Sequence, residues 1–172
     1  MAIIKASYTK QARGAKDNIK YIEQRPGKEG EKTIRTLFGI EGKMERREAY
    51  EMIDSAKEGS IFFRFIISPD PEKEDTQKDL QLREITERTM KQLEKQIKKQ
   101  VQWVAAIHSD HKPHRHIHVM AVVERKLNSQ HFYYMRREAT EASLDQRKEL
   151  DLTREQTQTR EQGGEWQREQ SR

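Results

Sequence analysis

Two apolar stretches, VQWVAAIH (101–108) and HIHVMAVV (116–123), flank the polar, proline-bearing segment SDHKPHR. Both read as β-strands, and a turn between them makes a hairpin. Alternate side chains of a strand share a face, so His116 and His118 point one way while Ile117 and Val119 point into a core. On the first strand Val104, Ala106 and His108 share a face, which sets His108 across the hairpin from that pair. Five of the six histidines of the chain fall between positions 108 and 118. Three imidazoles converging from two paired strands make an open-sided site for a divalent metal, with Mn, Co, Ni, Cu and Zn all suited to imidazole and positions left for substrate. Asp110 is expected to orient one histidine by accepting its second N–H, and His111 to lie in the turn. His114 joins this face if the second strand begins early. It precedes Arg115 rather than an apolar residue, so it ranks behind His116 and His118.

The rest of the chain supplies the layers. AIIKASYT (2–9), KTIRTLFG (32–39) and SIFFRFIISP (60–69) read as further strands, the last apolar on both faces and therefore interior to its sheet. A helix is expected to end near Gln24, ahead of Pro26 and Gly27, with Ala15, Ile19 and Ile22 inward. A second is expected within 42–59, with Met44, Ala49, Met52 and Ile53 inward. A third within 74–100 carries the stripe Leu82, Ile85, Met90, Leu93 and Ile97. A fourth runs from Asn128 to Leu150. Five strands and about four helices in mixed order predict an α+β fold, a five-stranded antiparallel sheet with helices packed on it.

Hydrophobic residues make up 33% and charged residues 37% of the chain, a thin core for its length. Residues 1–150 are expected to form the domain. Residues 151–172, rich in Gln, Glu and Arg, form a polar tail or linker with little to bury. The formal net charge is +5, with the positive surplus lying on residues 1–136, which points to a polyanionic partner, nucleic acid first. The absence of cysteine excludes disulfides, thiolate metal sites and thiol nucleophiles. No apolar run reaches membrane-spanning length, so no membrane insertion and a cytoplasmic location are expected.

With these residues in view, the pattern H-x-D…P-H-x-H-I-H-V resembles the third motif of conjugative relaxases, members of the HUH endonuclease superfamily. The resemblance spans roughly residues 1–150. It implies a five-stranded antiparallel sheet with helices, and histidines that hold a divalent cation against a scissile phosphate. Mn or Mg is the expected ion in use, with Zn, Ni or Co as alternatives. It also implies a tyrosine on an N-terminal helix that attacks phosphorus, leaving a 5′-phosphotyrosine. The implied activity is site- and strand-specific nicking of single-stranded DNA at a plasmid transfer origin. Accessory relaxosome proteins and a coupling protein are the implied partners. Three histidines, His114, His116 and His118, alternate here where two are usual in the family. Read as His-hydrophobic-His, the pair is His116 and His118; read from the proline, it is His114 and His116.

Among the five tyrosines, Tyr21 stands late on the first helix beside Lys20, Arg25 and Lys28, in surroundings similar to Y-I-x-R-x-G of the first relaxase motif. Tyr21 is the expected nucleophile and those three cations the expected DNA contacts. Tyr8 is the alternative nucleophile. Tyr133 and Tyr134 either pack the last helix or stack on a base. Lysines 91, 95, 98 and 99 are further expected to meet DNA backbone. A rolling-circle replication initiator, or a single-strand transposase of the same fold, is one rival reading. A non-enzymatic single-strand binder is the other, and it predicts no cleavage with any metal.

Overall fold

The computed structural model describes residues 1–109 and 114–169, with side chains to residue 160. Asp110 and His111 lie outside the described residues. The elements run β1 (Ile3–Thr9), α1 (Ala12–Gln24), β2 (Leu37–Gly39), β3 (Gly42–Met44), α2 (Arg46–Asp54), β4 (Ile61–Ser68), α3 (Leu82–Ile97), β5 (Gln102–His108), β6 (His116–Val123) and α4 (Ser129–Glu169). The strands form one antiparallel sheet in the order β1-β4-β6-β5-β2-β3.

Among the described residues the sheet therefore has six strands rather than the expected five. The extra one, β3, comes from residues that the helical spacing around Met44 had claimed for the second helix. Gly39 pairs with Gly42 across the two-residue turn Ile40–Glu41, and Gly42 takes φ +120°, a conformation that glycine adopts without steric cost. The chain reverses there and α2 starts only at Arg46, closed by reciprocal bonds between Glu45 and Glu48, a capping box. Met44 thus sits in a strand, while Ala49, Met52 and Ile53 are buried on α2 as expected.

Helices cover both faces. On one side α1 and α2 bury Ala15, Ile19, Ile22, Ala49, Met52 and Ile53 against Phe62, Val104, Ala106 and Met120. On the other, α3 and α4 close over Phe63, Phe65, Ile67, Ile117, Val119 and Val123. The strand-by-strand alternation explains the division: odd positions of β4 and β6 face one layer and even positions the other. Phe65, fully buried with a stacked neighbour in Phe63, contributes about 1.5–3 kcal/mol by burial.

The third helix begins at Leu82, and residues 69–81 form turns ahead of it. Charge pairs, some of them partly buried, pin that segment. Arg115 donates twice to the Asp75 carboxylate, at 2.9 and 2.7 Å, and once to the Leu80 carbonyl at 3.0 Å. Asp79 accepts from Arg147 and Arg154 on α4. The helix α4 is unbroken across position 150, and Leu150 packs partly against the core. Among the described residues no helix is long and apolar enough to cross a membrane.

Candidate metal centre

The β5–β6 register pairs His108 with His116 and Ala106 with His118. Directly opposed residues of an antiparallel pair share a face, so all three imidazoles stand on the face that α1 and α2 cover. The ring centres are 4.4 Å apart for His108 and His118, 5.1 Å for His116 and His118, and 5.5 Å for His108 and His116. One nitrogen from each falls within 4.8 Å of the others, and all three residues are buried. His114 is half-buried and stands outside this cluster.

Helix α1 makes a polar contact to the cluster and another to a cation beside it. His108 Nε2 is 2.8 Å from the Ile22 carbonyl. A carbonyl only accepts, so Nε2 carries the proton and the lone pair resides on Nδ1. Such a bond to the far ring nitrogen is how metal-binding histidines are oriented. One turn earlier, Arg64 donates to Asn18 Oδ1 at 3.3 Å. Burial first, then repulsion from His108, His116, Arg64 and Arg25, pushes His118 down to about 3. Both of its ring nitrogens are buried without a hydrogen bond. Three inward imidazoles, one of them with both nitrogens unsatisfied, fit a divalent cation of the imidazole-binding kind.

Tyr21 precedes Ile22 and is 44% exposed. Asn18 and Tyr21 lie one turn apart on α1, and Arg25 follows as its C-cap. Tyr21 therefore stands between Asn18, which holds Arg64, and Arg25, whose guanidinium lies 5.7 Å from the tyrosine ring centre. Lys20 and Lys28 are exposed on the same stretch. The helix stops here because Arg25 turns extended ahead of Pro26, as residues before proline do.

Tyr8 is elsewhere. It pairs with Phe63, and Phe63 with Ala121, which puts it on the face opposite to the histidines. The α3 lysines also belong to that far side, and Lys99 pairs with Glu124. Arg64 was missed by sequence reasoning. Its signal was there: it is the one charge inside IFFRFIIS, and a cation in so apolar a strand needs a reason. The Ile22 carbonyl had no signal, since backbone atoms leave none in a sequence.

A family model described as "Relaxase: MobA/VirD2-like, nuclease domain" matches residues 21–155. No curated protein and no solved structure matches the chain.

Proposed function

The chain belongs to the relaxases with a MobA/VirD2-like nuclease domain, and on that premise we propose that it nicks one DNA strand at a plasmid transfer origin by tyrosine transesterification. Tyr21 is the nucleophile. Its oxygen bonds to phosphorus as the bond to the 3′-oxygen breaks; the phenol gives up its proton and the released 3′-hydroxyl gains one. The 5′-phosphotyrosine keeps the energy of the phosphodiester, so the strand can be resealed without ATP.

His108, His116 and His118 would hold a divalent cation, which when bound supplies Lewis-acid polarisation of a phosphate oxygen. The remaining work falls to the chain itself. Arg25 and Arg64 supply fixed positive charge beside the cluster for the anionic phosphate. Lys20 and Lys28 hold the neighbouring backbone by salt-dependent contacts. For Asp110, which lies outside the described residues, we propose the role of orienting one histidine. A neutral phenol is a poor nucleophile at neutral pH, and these cations lower that barrier.

The observation that carries this reading is the bond from His108 to the Ile22 carbonyl, which ties the histidines to the helical turn bearing Tyr21. The test is incubation with labelled single-stranded origin DNA and Mn²⁺ or Mg²⁺, followed by denaturing electrophoresis. A covalent, SDS-resistant adduct that disappears on chelation supports it, and DNA binding with no adduct under either metal favours a non-enzymatic binder.

A further inference from the structure

On the face of the sheet away from the histidines, a cavity of about 270 Å³ opens between β1, the start of β4 and the start of α4. Tyr8, Phe63, Phe132, Ile61, Leu127 and Lys126 line it, and among the described residues no carboxylate does. Tyr8 is 60% exposed. Its ring centre lies 5.5 Å from that of Phe63 at a 46° tilt, and Phe63 in turn stacks on Phe65 at 5.7 Å and 6°. Tyr8 is thus the outer ring of a three-ring column whose inner end is fixed in the core. Such a ring offers contact area at little entropic cost. Lys126 and its neighbour Arg125 are both exposed. The first turns of α4 continue the pattern with Tyr133 and Tyr134, rings 5.3 Å apart, beside Arg136.

A purely apolar partner has no use for the cations, and a free anion has none for the rings. An exposed aromatic face next to a lysine is the pairing that single-stranded nucleic acid uses, base on ring and phosphate on ammonium. The strand β1 is the edge of the sheet. It carries Tyr8 on this side and Lys5 and Ser7 on the histidine side. A nucleotide chain therefore needs to round only one strand to pass between the faces.

We propose that this cavity binds a base of the substrate strand, outside the segment that is cut, as a second DNA contact on the back of the sheet. The proposal rests on the relaxase reading for the identity of the strand.

The test is fluorescence anisotropy with labelled oligothymidylate of about 30 nucleotides, long enough to engage more than one contact of the size such sites use. It is run on the intact chain and on Tyr8→Ala, Tyr8→Phe and Lys126→Gln, with thermal melts alongside. Tyr8→Ala is expected to weaken binding about 5- to 150-fold, the loss of one stacked base, while Tyr8→Phe binds like the parent. Lys126→Gln is expected to lower the slope of log affinity against log salt by about one. Should Tyr8→Ala misfold, the Lys126→Gln slope still decides. Parental affinity in a folded Tyr8→Ala, an unchanged slope in Lys126→Gln, or a loss in Tyr8→Phe equal to that in Tyr8→Ala overturns the proposal. Adduct formation on origin DNA is scored separately. Tyr8-dependent binding without any adduct leaves this contact standing and removes the relaxase mechanism, whereas adduct without Tyr8-dependent binding does the reverse.

Discussion

The Nε2 proton of His108 is given to the Ile22 carbonyl at 2.8 Å, so one ring of the histidine cluster is held by the backbone of the residue next to Tyr21. That bond couples two parts of the chain more than eighty residues apart. It sets the tautomer of His108 and ties α1 to the sheet.

Metal affinity should follow the observed cluster. We expect His108→Ala, His116→Ala and His118→Ala each to lose more Mn²⁺ affinity by calorimetry than the roughly 10–100-fold typical of removing an outer partner. His114→Ala should change it little, because His114 stands apart from the other three. Normal binding by His118→Ala with failure of His114→Ala would show that the ligand pair is the one counted from the proline.

The Arg115–Asp75 pair should prove costly to break from one side. Asp75 is 3% and Arg115 19% exposed at the side chain, so Asp75→Ala strands a largely buried guanidinium. A loss of about 3 kcal/mol is expected in urea unfolding. The double variant Asp75→Leu, Arg115→Met should recover much of it, since no charge is then left unpaired. Equal instability in single and double variants would mean that the segment depends on something other than this pair.

Acid should release the same region. Hydrogen bonding from Arg147, with the charges of Arg147 and Arg154, holds the Asp79 carboxyl below its ordinary 3.8. A depressed folded value stabilises the native state above the unfolded pKa and loses that stabilisation as pH falls through the folded one. Wild type should therefore melt above Asp79→Asn at neutral pH. The gap should narrow only below about pH 4. A gap that persists unchanged at pH 2 would rule out ionisation of Asp79 as its cause.

Residues 151–172 should divide in two. We propose 1–150 as the nuclease domain, yet Arg154 reaches back to Asp79. Deleting 156–172 should leave the melting temperature unchanged. Deleting 151–172 should cost at most about 1 kcal/mol, the range of a partly exposed ion pair. A larger loss from the shorter deletion would mean that the distal helix docks on the domain.

The hairpin was legible because periodicity is a local property: His108, His116 and His118 declare their common face through Ala106, Ile117 and Val119. The same logic recovered the buried residues of α1 and most of the stripe on α3. It failed at Met44, where helical spacing competed with a two-glycine turn and the turn won. Tyr8 shows a different limit. Alternation could not say which face of β1 met the histidines, because that depends on which strand β1 pairs with. Arg64 beside Asn18, and the Ile22 carbonyl beside His108, are consequences of sheet order, and no short window of sequence contains sheet order.

The most direct measurement is the identity of the residue that becomes attached to DNA. Labelled single-stranded origin DNA is incubated with the protein and Mn²⁺, quenched in SDS, and the nucleotide-bearing peptide is sequenced by mass spectrometry. One modified residue is expected, Tyr21, with no adduct from a Tyr21→Phe variant that still binds DNA. Attachment at Tyr8, Tyr133 or Tyr134, or an undiminished adduct in Tyr21→Phe, would contradict it.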